Sequence, residues 1–130
     1  EGAKGMTNFG QYFTRKEFVC SHTGEENMSQ DFLNLLNKLR ELYGQPMLIS
    51  SGYRHETHPI EAKKKKAGMH TTGLACDILV HGKDAHCLLE HAMSMQAFTG
   101  IGIAQKGAVE GRFIHLDIGQ SDTRPWIWSY

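Results

Sequence analysis

The chain has 130 residues, 40% apolar and 22% charged, which suits one compact folded domain over residues 1–130 and excludes a disordered tail. Fourteen basic residues balance fourteen acidic ones, so the basic excess of a nucleic-acid binder is missing, and no apolar run approaches the ~20 residues of a membrane span. Cys20, Cys76 and Cys87 are too few and too widely spaced for a disulfide framework or a thiolate zinc site, whereas eight histidines are many for this length and prompt a search for a metal site.

Residues 1–9 read as a loose lead-in. They open Glu1-Gly2 in place of Met, which suggests a removed leader, tag or upstream segment, and they show no charged-then-apolar signal segment. Thr14-Arg15-Lys16-Glu17 fits a capping box opening a short helix that ends near Cys20. Between Ser29 and Tyr43, the residues Phe32, Leu35, Leu36, Leu39, Leu42 and Tyr43 recur at three- and four-residue steps and predict a helix. Ser29 caps its start and Gly44 its end. Pro46 then imposes extended chain, and Met47 to Ser50 reads as a buried strand. His55 to Met69 is a surface loop with at most one helical turn. Its run Lys63-Lys64-Lys65-Lys66 is a solvated stretch, or a contact for an anionic polymer.

Leu74 to Val80 reads as a second strand. Asp84 then caps a helix to about Phe98, with Leu88, Leu89, Ala92 and Met95 as its buried stripe. Ile101 to Ala104 and Arg112 to Ile118 form two further strands, joined by a hairpin connection flanked by Gly107 and Gly111. The tail from Arg124 holds Trp126, Ile127, Trp128 and Tyr130, aromatic mass enough to pack back on the body. The order of elements predicts an α+β fold, a small and mostly antiparallel sheet with flanking helices.

Three segments carry chemistry: Ser51-Gly52-Tyr53-Arg54, His70 to Asp77, and Phe113 to Ile118. In the last, strand alternation puts Ile114, Leu116 and Ile118 on a core face and Phe113, His115 and Asp117 on the other. His115 and Asp117 then stand roughly 7 Å apart at Cα, at the edge of one cleft. In the second, Gly73 turns the chain into a strand, and that turn can fold His70 back over Asp77. Asp77 lies in an apolar strand, where a carboxylate needs a partner. Two imidazoles and one carboxylate are a common zinc set that leaves a fourth position for water. Zinc lowers the pKa of such water to about 7 and polarises carbonyls, so amide hydrolysis is the natural reaction.

Together, Ser51-Gly52-Tyr53-Arg54, then His70-x2-Gly73-x-Ala75-x-Asp77, then His115-x-Asp117 resemble, in order, the motifs of the D-alanyl-D-alanine carboxypeptidase and L-alanyl-D-glutamate endopeptidase family of zinc peptidases. That family acts on bacterial peptidoglycan and shares a fold with the hedgehog signalling domain. The likeness is greatest to its short phage and prophage branch, and runs from about Tyr12 to the aromatic tail. It implies zinc held by His70, Asp77 and His115, with Arg54 binding a substrate carbonyl or carboxylate. It implies a peptidoglycan stem peptide as partner. Reduced cysteines fit synthesis in the cytoplasm, while that substrate lies outside it.

Much of the family carries an acid three positions before the last zinc histidine. Here that position is Arg112, which cannot accept a proton. Asp117 is the substitute as general base, or else a group that holds His115 or Arg54 in place. Glu110 is the other candidate. Of the remaining histidines, His22, His55 and His58 fall in loops, with His55 and His58 able to line the cleft, and His81, His86 and His91 surround the second long helix. Cys76 faces away from Asp77 and reads as a small core residue. The alternative function is a non-catalytic zinc-containing structural or binding module with the same fold, such as a phage tail part. A cysteine hydrolase on Cys20 or Cys87 ranks last, since neither has an adjacent histidine in a motif.

Overall fold

A computed structural model describes residues 7–62 and 68–130, and its longest helix forms where the apolar spacing demands one. The lysine run Lys63–Lys66 lies outside the described residues, as do the first six residues of the lead-in. Helix α1 spans Gln30–Tyr43, with the Ser29 side chain accepting from the Phe32 N–H and Gly44 closing it in the left-handed region. Its buried face is turned slightly from the expected one. Phe32, Leu33, Leu36, Leu39 and Tyr43 are buried, while Leu42 is 44% exposed. Leu33 enters the core because the apolar stripe of a helix covers more than one row of side chains.

The strands are β1 Leu48–Ser51, β2 Ala75–Leu79, β3 Gly100–Ala104, β4 Phe113–Asp117 and β5 Trp126–Ser129. They form one sheet in the order β1-β2-β4-β3-β5. All neighbours are antiparallel except β5, which runs parallel to β3. The mostly antiparallel α+β architecture matches the sequence expectation. The tail differs: Trp126 to Ser129 adds an edge strand where only packing was expected. Its main chain pairs with β3 from Gly100–Trp126 to Ile103–Ser129, although Trp126, Ile127 and Ser129 are all exposed.

Helix α2, Pro59–Ala62, is a helical turn in the β1–β2 connection. Helix α3 spans Gly82–Ser94, shorter than expected at one end and longer at the other. His81, not Asp84, is its N-cap. Asp84 sits instead in the first turn, where a negative charge suits the helix dipole. The helix stops before Phe98 because Gln96 takes a left-handed φ of 54°. Near the start of the chain, Arg15–Glu17 makes a 3-10 turn, and the Thr14 N–H donates to Glu17 Oε2 at 2.8 Å.

One face of the sheet is apolar. Ile78, Cys76, Ile114, Leu116 and Ile101 join the buried side chains of α1 and α3 in the core. Cys76 is fully buried there, and burial pushes its thiol up. On the opposite face, one row paired in register across the sheet is Ser51, Asp77, His115, Gly102 and Trp128. Strand alternation alone separates this chemistry from the core.

Candidate metal centre

His115 and Asp77 meet because β2 and β4 pair antiparallel with those two residues opposite each other. His70 reaches them from the 3-10 turn Met69–Thr72. That turn closes at Gly73, whose φ of 75° is left-handed, a conformation glycine adopts without penalty. A Cβ at Gly73 would also strike the Asn27 carbonyl oxygen. The Arg54 N–H donates to the His70 carbonyl at 3.0 Å and ties the turn to the segment after β1.

The hydrogen bonds decide which ring nitrogen faces the centre. His70 Nδ1–H donates to the Gly52 carbonyl at 2.8 Å, and His115 Nε2–H donates to Asp117 Oδ2 at 2.7 Å. Each ring thus has one protonated nitrogen tied to an acceptor outside the centre. The other nitrogens carry lone pairs, and both face Asp77 Oδ1, His70 Nε2 at 3.2 Å and His115 Nδ1 at 3.0 Å. Two lone pairs and a carboxylate oxygen in this arrangement repel one another unless a cation lies among them. The candidate ligand atoms all lie within 4.8 Å of one another, and all three residues are buried. Ligand atoms about 2.0–2.2 Å from one tetrahedral zinc stand about 3.4 Å apart. The donor set and its second-layer hydrogen bonds therefore fit a divalent metal.

Without a metal, protons take that role. Burial pulls the His115 imidazole down, but hydrogen bonds and charge from Asp117 and Asp77 outweigh it and leave its pKa raised. Burial pushes the Asp77 carboxyl up, and hydrogen bonds from His115 and His70 overcome this, holding it well below the carboxylate range.

Asp117 is fully buried. Its Oδ1 accepts from the Gly119 N–H at 3.0 Å and Arg124 Nε at 3.0 Å. Its Oδ2 accepts from Arg124 Nη2 at 2.9 Å and from His115. Those four contacts fill the roughly four acceptor sites of a carboxylate. They suit the holding role weighed for Asp117, not the proton-accepting one. Gly100 stands opposite Asp117 in β3, and a Cβ there would run into the carboxylate. Burial pushes the Asp117 carboxyl up, but His115, Arg124 and Gly119 hold it well below its usual 3.8.

This gives an acid-stability prediction. Asp117 and Asp77 have depressed folded values, so their contribution is complete above the unfolded carboxylate value and is lost as pH falls through the folded ones. His115, being raised, works oppositely and loses its contribution as pH rises through its folded value. The urea midpoint of chelated protein should therefore fall on acidification from about pH 5 to about pH 2. Asp117→Asn should flatten that dependence.

Arg54 lines the cleft from the segment after β1. Its Nη2 donates to Ser51 Oγ at 3.1 Å and lies 3.8 Å from Asp77 Oδ2. The cleft, about 720 Å³, opens over the three candidate ligands and is walled by Arg54, His58, Phe113, Trp128 and Tyr130. His58 stands at its Ser21 side, where Nδ1 accepts from the Ile60 N–H and Nε2 is 3.2 Å from Ser21 Oγ. His55 instead pairs with Glu25 at 3.7 Å. Glu110 is exposed on the 3-10 turn Val109–Gly111 and is not among the described residues lining the cleft. Arg112 turns away from the centre and donates through Nε and Nη2 to the Gly107 carbonyl at 3.1 and 2.9 Å, pinning the β3–β4 connection.

Sequence reasoning missed Arg124, Gly100, Gly102 and the Gly52 carbonyl. Backbone groups and glycines leave no chemical signature in a motif. Arg124 is separated from Asp117 by a turn whose path the sequence does not disclose.

A sheet that presents two oriented imidazoles and a carboxylate in an open cleft could hold a metal ion beside room for a substrate. Residues 11–117 match Peptidase M15. The chain belongs to that family, whose members are metal-dependent peptidases, so its substrate is of peptide type. A comparison with curated proteins finds none that matches it.

Proposed function

We propose that this domain is a zinc peptidase that hydrolyses a peptide bond in peptidoglycan stem peptides. The observation that carries the reading is the convergence of two lone-pair nitrogens and a carboxylate oxygen beside an arginine in an open cleft. His70 Nε2, Asp77 Oδ1 and His115 Nδ1 would hold the metal. Zinc held there would supply Lewis acidity toward a carbonyl and would lower the pKa of water.

The chain's own groups do the rest. Arg54 binds the substrate carbonyl or carboxylate and stabilises negative charge as it develops. Ser51 fixes the guanidinium through its Oγ. Gly52 and Asp117 keep each imidazole in the tautomer whose lone pair faces inward. Asp117 acts through His115, with Arg124 holding its carboxylate. The motif resemblance supports peptidoglycan as the polymer.

Chelation should abolish release of peptide termini from purified peptidoglycan, and stoichiometric zinc should restore it. His70→Ala and His115→Ala should each remove both zinc and activity. Undiminished activity in either variant would overturn the reading. One bound zinc per chain with no turnover would favour the non-catalytic module instead.

A further inference from the structure

An aromatic run leads outward from the candidate metal centre. The Trp128 ring lies 5.2 Å from His115, Trp126 lies 5.5 Å from Trp128, and Tyr130 lies 6.4 Å from Trp128 and 5.1 Å from Phe113. Trp126, Trp128 and Tyr130 are alternate residues at the sheet edge and so share one face. That face spans about 13 Å, at about 3.3 Å per residue. Gly102, opposite His115, clears the ground for it: a Cβ there would stand 2.8 Å from Trp128 Nε1 and 2.9 Å from Tyr130 Cε2.

These rings are not spent on the core. Trp126 is 50% exposed and Tyr130 55% exposed, while Trp128, Tyr130 and Phe113 wall the same cleft as the metal centre. Contiguous exposed apolar surface continuous with a functional cleft marks a binding surface. The alanine and glutamate residues of the expected stem peptide are too small or too anionic to cover three large rings. A flat ring with apolar C–H faces and a hydroxyl rim suits them. The polar neighbours fit as well, since Arg124 lies 5.9 Å from the Trp128 ring, and Arg54 and His58 line the same cleft.

We propose that Trp126, Trp128 and Tyr130 form a saccharide subsite that takes the amino-sugar rings of the polymer bearing the scissile peptide. The assignment rests on the peptidase reading, and its test is separable from it. Titration of the zinc-loaded chain with the peptide-free trimer of N-acetylglucosamine should change tryptophan fluorescence saturably, with a Kd on the order of 1 mM. Trp126→Ala and, separately, Tyr130→Ala should each weaken that binding by roughly tenfold. In turnover, the kcat/KM ratio of glycan-linked stem over free stem peptide should fall by a similar factor. No saturation by the trimer, or the same affinity in both variants, overturns the subsite even if peptides are cleaved. Sugar binding lost in both variants, in a chain that hydrolyses neither substrate, supports the subsite and overturns the peptidase.

Discussion

Replacing Arg54 by alanine should lower kcat on peptidoglycan by roughly 10²–10³-fold, the loss expected when one donor to a developing oxyanion is removed. Zinc content should stay at one ion per chain, because Arg54 is not among the candidate ligand set. Its guanidinium is mostly buried, with its side chain 12% exposed, held by Ser51 and 3.8 Å from Asp77. A charge fixed in a water-poor wall does more for a transition state than one that must reorganise. Lysine should recover only part of the rate, since a point charge does not reproduce the planar fork. Steady-state kinetics with metal analysis on the same preparations checks this. Loss of zinc in Arg54→Ala would mean that the arginine works on Asp77 instead, and an unchanged kcat would remove it from the reaction.

The residues of this centre were legible in the sequence as types and order, and their convergence on one metal was implied by the motif resemblance, not by any local pattern. Alternation along Phe113 to Ile118 was enough to send Ile114 and Leu116 inward and His115 and Asp117 to the other face, because a strand's period is fixed by its backbone. The helix from Ser29 to Gly44 was equally open to reading, since its caps and its apolar steps are local. What joins Asp77 to His115 is the register of β2 on β4, a pairing across 38 residues that no local pattern encodes. The aromatic tail shows the same limit. Trp126, Trp128 and Tyr130 alternate as a strand does, yet their parallel partner β3 lies more than twenty residues back. The role of Asp117 depended on Arg124, whose approach follows from the turn between them. Chemistry that depends on neighbouring residues was visible in the chain itself, whereas the remote pairing of Asp77 with His115 was implied only by resemblance and has its physical cause in the fold.

Asp117→Asn separates the two roles weighed for that residue. The substitution keeps the shape but removes the charge that Arg124 grips with two hydrogen bonds. It also sets an amide where His115 Nε2–H and the guanidinium both need an acceptor. Breaking one side of a buried pair costs about 3–5 kcal/mol, which denaturant titration of the chelated protein should register. Loosening His115 should weaken zinc binding by roughly 10–100-fold, measured by competition with a chromogenic chelator. At saturating zinc most of the kcat should return, with the acidic limb of the pH–rate profile in place. A proton acceptor would behave otherwise: its loss would lower kcat by roughly 10²–10⁴-fold at every zinc concentration, and that limb would vanish. Should the asparagine variant fail to fold, Arg124→Lys keeps a positive charge, loses the two-point grip and should reproduce the weaker zinc affinity in milder form. Wild-type zinc affinity in both variants would detach Asp117 from the metal centre, because the hydrogen-bonded route from Arg124 to the candidate ligand atoms passes through that carboxylate and the His115 ring.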